Sequence, residues 1–341
     1  MKKVVTIGSF GFGVGNPSGQ RVKSQNVYHL LKETGNSVSF VEMIGIWKRP
    51  WALIRMIKEI WNSDVAFCMP AQRNLVTVFP FICGMAKIRK MPVHYVVVGG
   101  WLADYVENRW KLQRILSSIA GIHCQTQELS DTLREKYGFT NTDVFPNFRL
   151  TDFQSTPHHT PGVLKLVFMA RINKLKGLDN VFFIGDLIKQ AGLENIFIDF
   201  YGPVHDEDKS YFEQNIKKYD FMRYVKSLDP SEIYPTLEQY DAMLLPTHYY
   251  TEGFPGSVLD AYISGIPVIV TKWKYATEFV EQEQSGLIVP FEDDGTAMFK
   301  EICRLNEDED FLNKLKQGAS IKWKEYSPDV ALEKLELYLN N

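Results

Sequence analysis

Two carboxylates, Glu252 and Asp260, flank the glycine-rich turn in the stretch "YYTEGFPGSVLDAYISGIPVI" of residues 249–269. Gly256 and Ser257 stand where a helix should begin. Their N–H groups would lack intrahelical acceptors and lie at the positive end of the helix dipole, which suits an anion. Asp260 falls in the first turn of that helix, where an acid favours the dipole and Ser257 is available as a cap. That plain reading does not extend to Glu252, which precedes the helix on a loop. Earlier in the chain, Arg171 and Lys176 flank a turn just before Gly177. Arg presents a planar fork of donors and Lys a point charge, both suited to a diphosphate. The plain alternative is a pair of solvated surface charges. A third stretch, "SFGFGVGNPSG" (9–19), holds Gly11, Gly13, Gly15 and Gly19 between an apolar run and a helical one. Such glycines let backbone approach a ligand closely. Three residues separate Gly15 from Gly19, so the spacing departs from G-x-G-x-x-G, although Glu42 mimics the ribose-binding acid of dinucleotide sites. A tight turn, a nicotinamide or flavin loop, and a loop facing another ligand all stay open for it.

These residues need strands to deliver them. Short β-rich runs at 4–7, 37–43, 64–69, 93–98 and 121–126 alternate with helical stretches. This pattern argues for right-handed βαβ units and a parallel sheet. The polar stretch 153–162, with two prolines, reads as a linker. Alternation then restarts, with runs at 164–170, 196–202, 224–228, 241–246, 267–271 and 286–290. The expectation is an α/β protein of two domains, residues 1–155 and 160–322, joined by this linker. A final helix over 323–341, capped by Ser327 with Pro328 in its first turn, is expected to cross back to the N-terminal domain. Ligands of open parallel sheets bind outside the carboxyl ends of the strands. Arg171, Lys176 and Glu252 all follow strand runs.

The chain has 341 residues, which favours two domains, and 45% hydrophobic content allows a sizeable core. Its four cysteines, Cys68, Cys83, Cys124 and Cys303, form no C-x-x-C pair and read as core thiols of a reducing compartment. The start "MKKVVTIGSF" does not read as a signal peptide, and no apolar run has the length of a spanning helix. A cytoplasmic location is expected. The net charge of −3 hides an asymmetry. Residues 1–150 carry 19 Lys and Arg against 10 Asp and Glu, a balance of +9, while the remainder carries 19 against 31. A basic half beside an acidic one points to an anionic partner for the first.

The pattern R-x4-KG after a strand, followed by E-G-F-P-G-S-V-x-D-A-x-x-x-G-x-P-V-I, resembles the retaining glycosyltransferases of family 4, which have the GT-B fold. The resemblance is specific over about 164–290 and topological over 1–150. It implies two Rossmann-like domains facing across a cleft and a nucleotide-diphosphate sugar as donor substrate, held mainly by the second domain, with no cofactor and no required metal. Carried over by position, Arg171 and Lys176 would neutralise the donor diphosphate and Glu252 would contact the donor sugar. Asp260 would bind the ribose hydroxyls. Backbone N–H groups of Gly256 and Ser257 would meet the phosphates, within the donor turn that also contains Gly253, Phe254 and Pro255. Tyr201, Gly202 and Leu228 would lie near the base, and Gly13 to Gly15 would close over the diphosphate and acceptor side. Two departures stand out. The second acid is Asp rather than the usual Glu, and no histidine follows the strand run 93–98, where Gly99, Gly100, Trp101 or Asp104 fills the space.

The segment "RPWALIRMIKEIW" (49–61) reads as an amphipathic helix with Trp51, Leu53, Ile54, Ile57, Ile60 and Trp61 on one side. Lys48, Arg55 and Lys58 lie at its edge, and "KIRK" (87–90) adds a basic cluster. The helix is expected either to face the core or, through 48–61 and 87–90, to meet an anionic membrane surface. The leading expectation is thus a transferase acting on a glycan acceptor, lipid-linked or a cell-surface polysaccharide precursor, peripheral on the inner face of the cell membrane. The alternatives are a GT-B-fold nucleotide-sugar 2-epimerase and a non-catalytic nucleotide-sugar binding protein. Nucleic-acid binding finds no recognisable module.

Overall fold

The computed structural model describes residues 1–12, 18–156 and 158–340. Contacts divide the chain into two compact units, Met1–Thr151 with Tyr326–Asn341, and Asp152–Glu325.

The first unit runs β1 (Lys3–Gly8), α1 (Gly19–Glu33), β2 (Ser37–Glu42), α2 (Pro50–Asn62), β3 (Val65–Met69), α3 (Gln72–Thr77), α4 (Phe79–Arg89), β4 (Val93–Val96), α5 (Leu102–Val106), α6 (Trp110–Leu116), β5 (Gly121–Cys124), α7 (Gln127–Tyr137) and β6 (Thr142–Val144). Its strands form one parallel sheet in the order β2-β1-β3-β4-β5-β6. The order reverses at β1, which lies between β2 and β3. The apolar runs Val4–Ile7 and Val65–Met69 are buried throughout, as expected of strands covered on both faces. β6 escapes sequence reading because Thr-Asp-Val is three residues long and only one is apolar.

The second unit runs β7 (Leu164–Met169), α8 (Leu178–Ala191), β8 (Ile196–Tyr201), α9 (Lys209–Ile216), β9 (Met222–Lys226), α10 (Ile233–Leu237), β10 (Ala242–Leu245), α11 (Gly256–Ile263), β11 (Val268–Thr271), α12 (Ala276–Phe279), β12 (Gly286–Val289), α13 (Thr296–Glu307) and α14 (Glu309–Lys322). The parallel order is β12-β11-β10-β7-β8-β9. Here the reversal falls between β7 and β10, paired through Leu166 with Ala242. Leu166, Phe168, Ile198 and Phe200 alternate into a core with Ile184 and Ile188 of α8. Each such fully buried side chain contributes about 1.5–3 kcal/mol.

Residues of the expected linker are tied to this second unit. His159 Nδ1 lies 2.7 Å from Asp241 Oδ1, and Lys316 Nζ donates to both Asp241 Oδ1 and the His158 carbonyl at 2.7 Å. The buried Asp241 carboxylate is thereby shared between the His159 ring, the Lys316 ammonium and the Lys165 N–H.

After α14 the chain returns to the first unit as α15 (Pro328–Asn340). Ser327 Oγ accepts from the Val330 N–H at 3.4 Å, and Ala331, Leu335, Tyr338 and Leu339 enter the core that holds Val4, Val27 and Phe67. Tyr338 stacks on His123 with centroids 3.7 Å apart. His123 Nδ1 lies 2.5 Å from Asp143 Oδ1, and its Nε2 lies 3.0 Å from His94 Nδ1. Burial, with His123 close by, lowers the His94 pKa to about 3.

Candidate active site

The crevice of a doubly wound sheet lies where strand order reverses, at the carboxyl ends. In the second unit those ends are Met169 and Leu245, and the loops that leave them carry Arg171, Lys176 and Glu252. Glycine makes their meeting possible. Gly177 has φ +84°, and a Cβ there would fall 1.8 Å from the Pro246 carbonyl oxygen. Its absence lets the turn Lys174–Lys176 lie directly on the β10 exit. Two hydrogen bonds to the Leu175 carbonyl fix the contact, from the His248 N–H at 2.9 Å and from Thr247 Oγ1 at 3.3 Å. Asn173 Oδ1 accepts from the Lys176 N–H at 2.9 Å and sets the turn itself.

On this platform Lys176 Nζ donates to Glu252 Oε2. Both side chains are largely buried, 14% and 17% exposed, so the attraction is screened less than on an open surface. Arg171 is held differently. Gly202, φ +127°, lets the β8 exit run against the β7 exit, since a Cβ would fall 2.0 Å from the Ala170 carbonyl oxygen. The Ile172 N–H donates to the Pro203 carbonyl at 3.0 Å, and the His205 N–H to the Ile172 carbonyl at 3.0 Å. The Arg171 side chain between these bonds is exposed, and among the described residues it forms no ion pair.

α11 begins at Gly256 with Pro255 as N-cap and no side-chain cap. Ser257 therefore does not cap the helix. The Val258 and Leu259 N–H groups turn back to the Pro255 carbonyl, while among the described residues those of Gly256 and Ser257 take no acceptor. Phe254 stacks on Phe279, centroids 4.0 Å apart and 3° between planes. Its ring is thus an anchor for the turn. Gly253 and Pro255 are buried beside it. Asp260 is 5% exposed, the least accessible of the acids assigned to the donor.

Of the residues expected near the base, Leu228 is half-buried beyond β9. The Tyr201 side chain is committed elsewhere. Its hydroxyl lies 2.9 Å from that of Tyr240, which donates to Asp199 Oδ2 at 2.6 Å, and Asp199 also holds Arg223. Their backbone is committed as well: the Tyr201 carbonyl accepts from the Ala170 N–H at 3.2 Å, the Gly202 N–H donates to the Lys226 carbonyl at 3.1 Å, and the Gly202 carbonyl accepts from the Tyr224 hydroxyl at 3.2 Å. Sequence reading missed Asn173, Thr247, His248 and Asn180, the last two joined at 2.7 Å. Single Asn, Thr and His residues carry no spacing signal. Among the described residues, no group of three His, Cys, Asp or Glu side chains is placed to hold a metal ion.

In the first unit, Gly13 and Gly15 lie outside the described residues. The loop leading to them is held by Glu42, whose Oε2 accepts from the Phe10 N–H at 3.1 Å and the Gly11 N–H at 2.6 Å. Glu42 serves the backbone, which removes the likeness to a ribose-binding acid. At the β4 exit the Gly99 N–H donates to Gln125 Oε1 at 3.0 Å, and Gln125 Nε2 to Asn147 Oδ1 at 2.8 Å. Trp101 returns its indole N–H to the Val98 carbonyl at 2.7 Å. Neutral amides and an indole thus stand at this edge, and Asp104 is exposed on α5.

The α2 helix separates the apolar residues that the helical wheel had grouped. Ala52, Met56 and Ile60 face the core, whereas Trp51, Ile54, Ile57 and Trp61 are exposed. The inward row at spacing four satisfies the sheet and leaves a second apolar row outside. No helix among the described residues is long and apolar enough to cross a membrane.

Two six-stranded parallel sheets with strand-end sites define two Rossmann-like domains of the GT-B glycosyltransferase fold. The chain belongs to the glycosyl transferases group 1 family, matched over residues 152–322. It is a glycosyltransferase. Among solved structures, sucrose-phosphate synthase from Thermosynechococcus elongatus is similar with TM-score 0.77 and 13% identity, over 100% of this chain and 99% of that one. Anabaena HepE, in complex with UDP and glucose, gives 0.76 and 13%, over 100% of both. Staphylococcal TarM (S. aureus), solved with fondaparinux, alpha-GlcNAc-glycerol and UDP, gives 0.66 and 16%, over 81% of this chain. This chain spans 55% of TarM's length. At these identities the likeness is one of fold. No curated protein sequence matches.

Proposed function

We propose that this chain is a retaining, family 4 transferase that moves a hexose or related sugar from a nucleotide-diphosphate donor to a glycan acceptor without a metal ion. The observation that carries the reading is the Lys176–Glu252 pair at the strand-order reversal, in the unit where Gly256 and Ser257 keep free N–H groups. A donor diphosphate would take the Lys176 ammonium and leave Glu252 to accept from sugar hydroxyls. Arg171 and the α11 N-terminus would share the diphosphate charge, and Asp260 would take the ribose. As the bond from the anomeric carbon to the phosphate oxygen breaks, an acceptor hydroxyl attacks from the same face. Its proton passes to the leaving phosphate oxygen. Preorganised cations and N–H groups stabilise the charge that develops there.

On the acceptor side, the exposed row Trp51, Ile54, Ile57 and Trp61, bordered by Lys48, Arg55, Lys58 and residues 87–90, supports docking on an anionic membrane surface. A lipid-linked or polysaccharide-precursor acceptor and a peripheral place on the cytoplasmic face of the membrane follow from it. The test is a thermal-shift series with UDP-, GDP- and ADP-sugars, uridine first because HepE and TarM were solved with UDP. Stabilisation by one donor class, followed by transfer with the anomeric configuration kept, is expected. No stabilisation by any of them sinks the reading.

A further inference from the structure

An apolar cavity in the first unit lies outside the machinery described so far. It measures about 380 Å³, within the range of small-molecule pockets, and is lined by Val76, Pro80, Trp110, Leu112 and Ile115. The elements around it are short. α3 and the start of α4 form one side and α6 the other, and Tyr105 of α5 ties them by donating its hydroxyl to the Gln72 carbonyl at 2.9 Å. α3 follows the carboxyl end of β3, and α5 and α6 follow that of β4, so the helices around the cavity are those that leave two neighbouring strand ends.

Its surroundings are unusual for a solvent-facing surface. Trp110 is 65% exposed, and Val76 and Phe81 are also exposed large apolar residues. Arg109 and Lys111 belong to the lining, and Lys111 Nζ sits 5.5 Å above the Trp110 ring. Arg73 and Arg114 are exposed nearby in sequence on α3 and α6. Of the two acids on and just after α5, Glu107 is paired with Lys136 at 2.6 Å and Asp104 is exposed. An apolar cavity with a cationic rim selects a ligand with a hydrocarbon body and an anionic head.

We propose that this cavity binds the hydrocarbon chain of an anionic amphiphile, with Arg109 and Lys111 meeting its phosphate. The inference deepens the proposed reading by naming the acceptor-side ligand class, and rests on that reading for its link to sugar transfer. The hydrocarbon lies between α3, α4 and α6, separately from the α2 surface. Ligand recognition here is an association step and makes or breaks no covalent bond.

The test uses the full chain and a dodecyl phosphate carrying a terminal diazirine, kept monomeric in solution so that membrane docking plays no part. Photolabelling followed by peptide mapping should place adducts on segments 76–80 and 110–115. Val76→Trp fills the cavity from a half-open position and should cut that labelling about tenfold, the equivalent of roughly two buried methylenes. Arg109→Gln with Lys111→Gln should weaken labelling by the phosphate while leaving an uncharged dodecanol probe unchanged. Circular dichroism and donor-induced thermal shifts, read on the same variants, report fold and donor site independently. Labelling confined to α2, labelling unchanged in Val76→Trp, or full competition by inorganic phosphate each overturns the proposal. A donor shift without cavity labelling rejects the cavity and spares the transferase reading, whereas cavity labelling without any donor shift does the reverse.

Discussion

The two units share an architecture and differ at its working edge. Each has a six-stranded parallel sheet whose order reverses near the first strand. In the second unit the loops at the reversal carry an ion pair and an exposed Arg, set by glycines where a Cβ would clash with backbone. In the first unit the Glu42 carboxylate is spent on backbone N–H groups, and Gln125, Asn147 and Trp101 stand at the β4 and β5 exits. Exposed cations such as Arg55, Lys58, Arg73 and Lys87 lie on its helices. The difference teaches that the fold supplies strand ends in the right place, while the residues at those ends decide whether a unit handles a polyanion or a neutral, hydroxyl-rich or amphiphilic partner.

Five experiments break or sharpen that contrast. The largest expected effect comes from Gly177→Ala, where a methyl would overlap the Pro246 carbonyl oxygen and the residue sits at positive φ. Loss of more than about 4 kcal/mol is expected by denaturant melts. Gly138→Ala in the first unit, with φ +69° but open space around it, should cost only about 1–2 kcal/mol. Equal costs would show that close packing at the β10 exit is unimportant. Next, Arg171→Ala and Lys176→Ala should each lower turnover by roughly 10²–10³ with melting behaviour retained. Near-normal activity in both removes the polyanion role of the second unit. Third, reversing Arg55, Lys58 and Lys87 should weaken binding to phosphatidylglycerol vesicles, by about 1 kcal/mol or more per cation, together roughly a hundredfold. Unchanged binding would mean that the helical charges do not serve a membrane.

The fourth concerns pH. His94 binds its proton less readily when folded, at about 3, than an ordinary histidine near 6.5. The unfolded chain therefore gains protons first, and the stability present above pH ~6.5 is lost as pH falls toward 3. At pH 4.5 the loss should be about 2–3 kcal/mol in the first unit. His94→Gln should flatten this acid limb in urea melts, and an unaltered limb would assign it to other groups. The smallest effect expected is that of a chelator. Turnover after EDTA should stay within about twofold if cations and helix N–H groups carry the leaving-group charge, and full loss restored by Mg²⁺ would contradict that.

Much of this was legible in the sequence because strands and their exits leave local marks. β-rich runs of four to seven residues located eleven of the strands, and glycine next to charge marked the β7 and β10 exits. What could not be read depends on distant backbone meeting backbone. That Lys176 meets Glu252 follows from Gly177 lying on Pro246, a contact between residues far apart in the chain. Phe254 looked like part of a ligand turn because its partner, Phe279, is a long-range neighbour. On α2, periodicity showed an apolar side but could not say which of two apolar rows the sheet would take, Met56 and Ile60 or Ile54 and Trp61.

The return of α15 to the first unit has a consequence for synthesis. Residues Asp152–Glu325 form an uninterrupted unit, whereas the core around Val4 and Phe67 waits for Ala331, Leu335 and Leu339. At usual elongation rates the first sheet spends roughly 10–40 s without its last helix. The second unit is then the first to be completed. A chain truncated at residue 327 would therefore keep every residue of the second unit and leave the first core short of Ala331, Leu335 and Leu339.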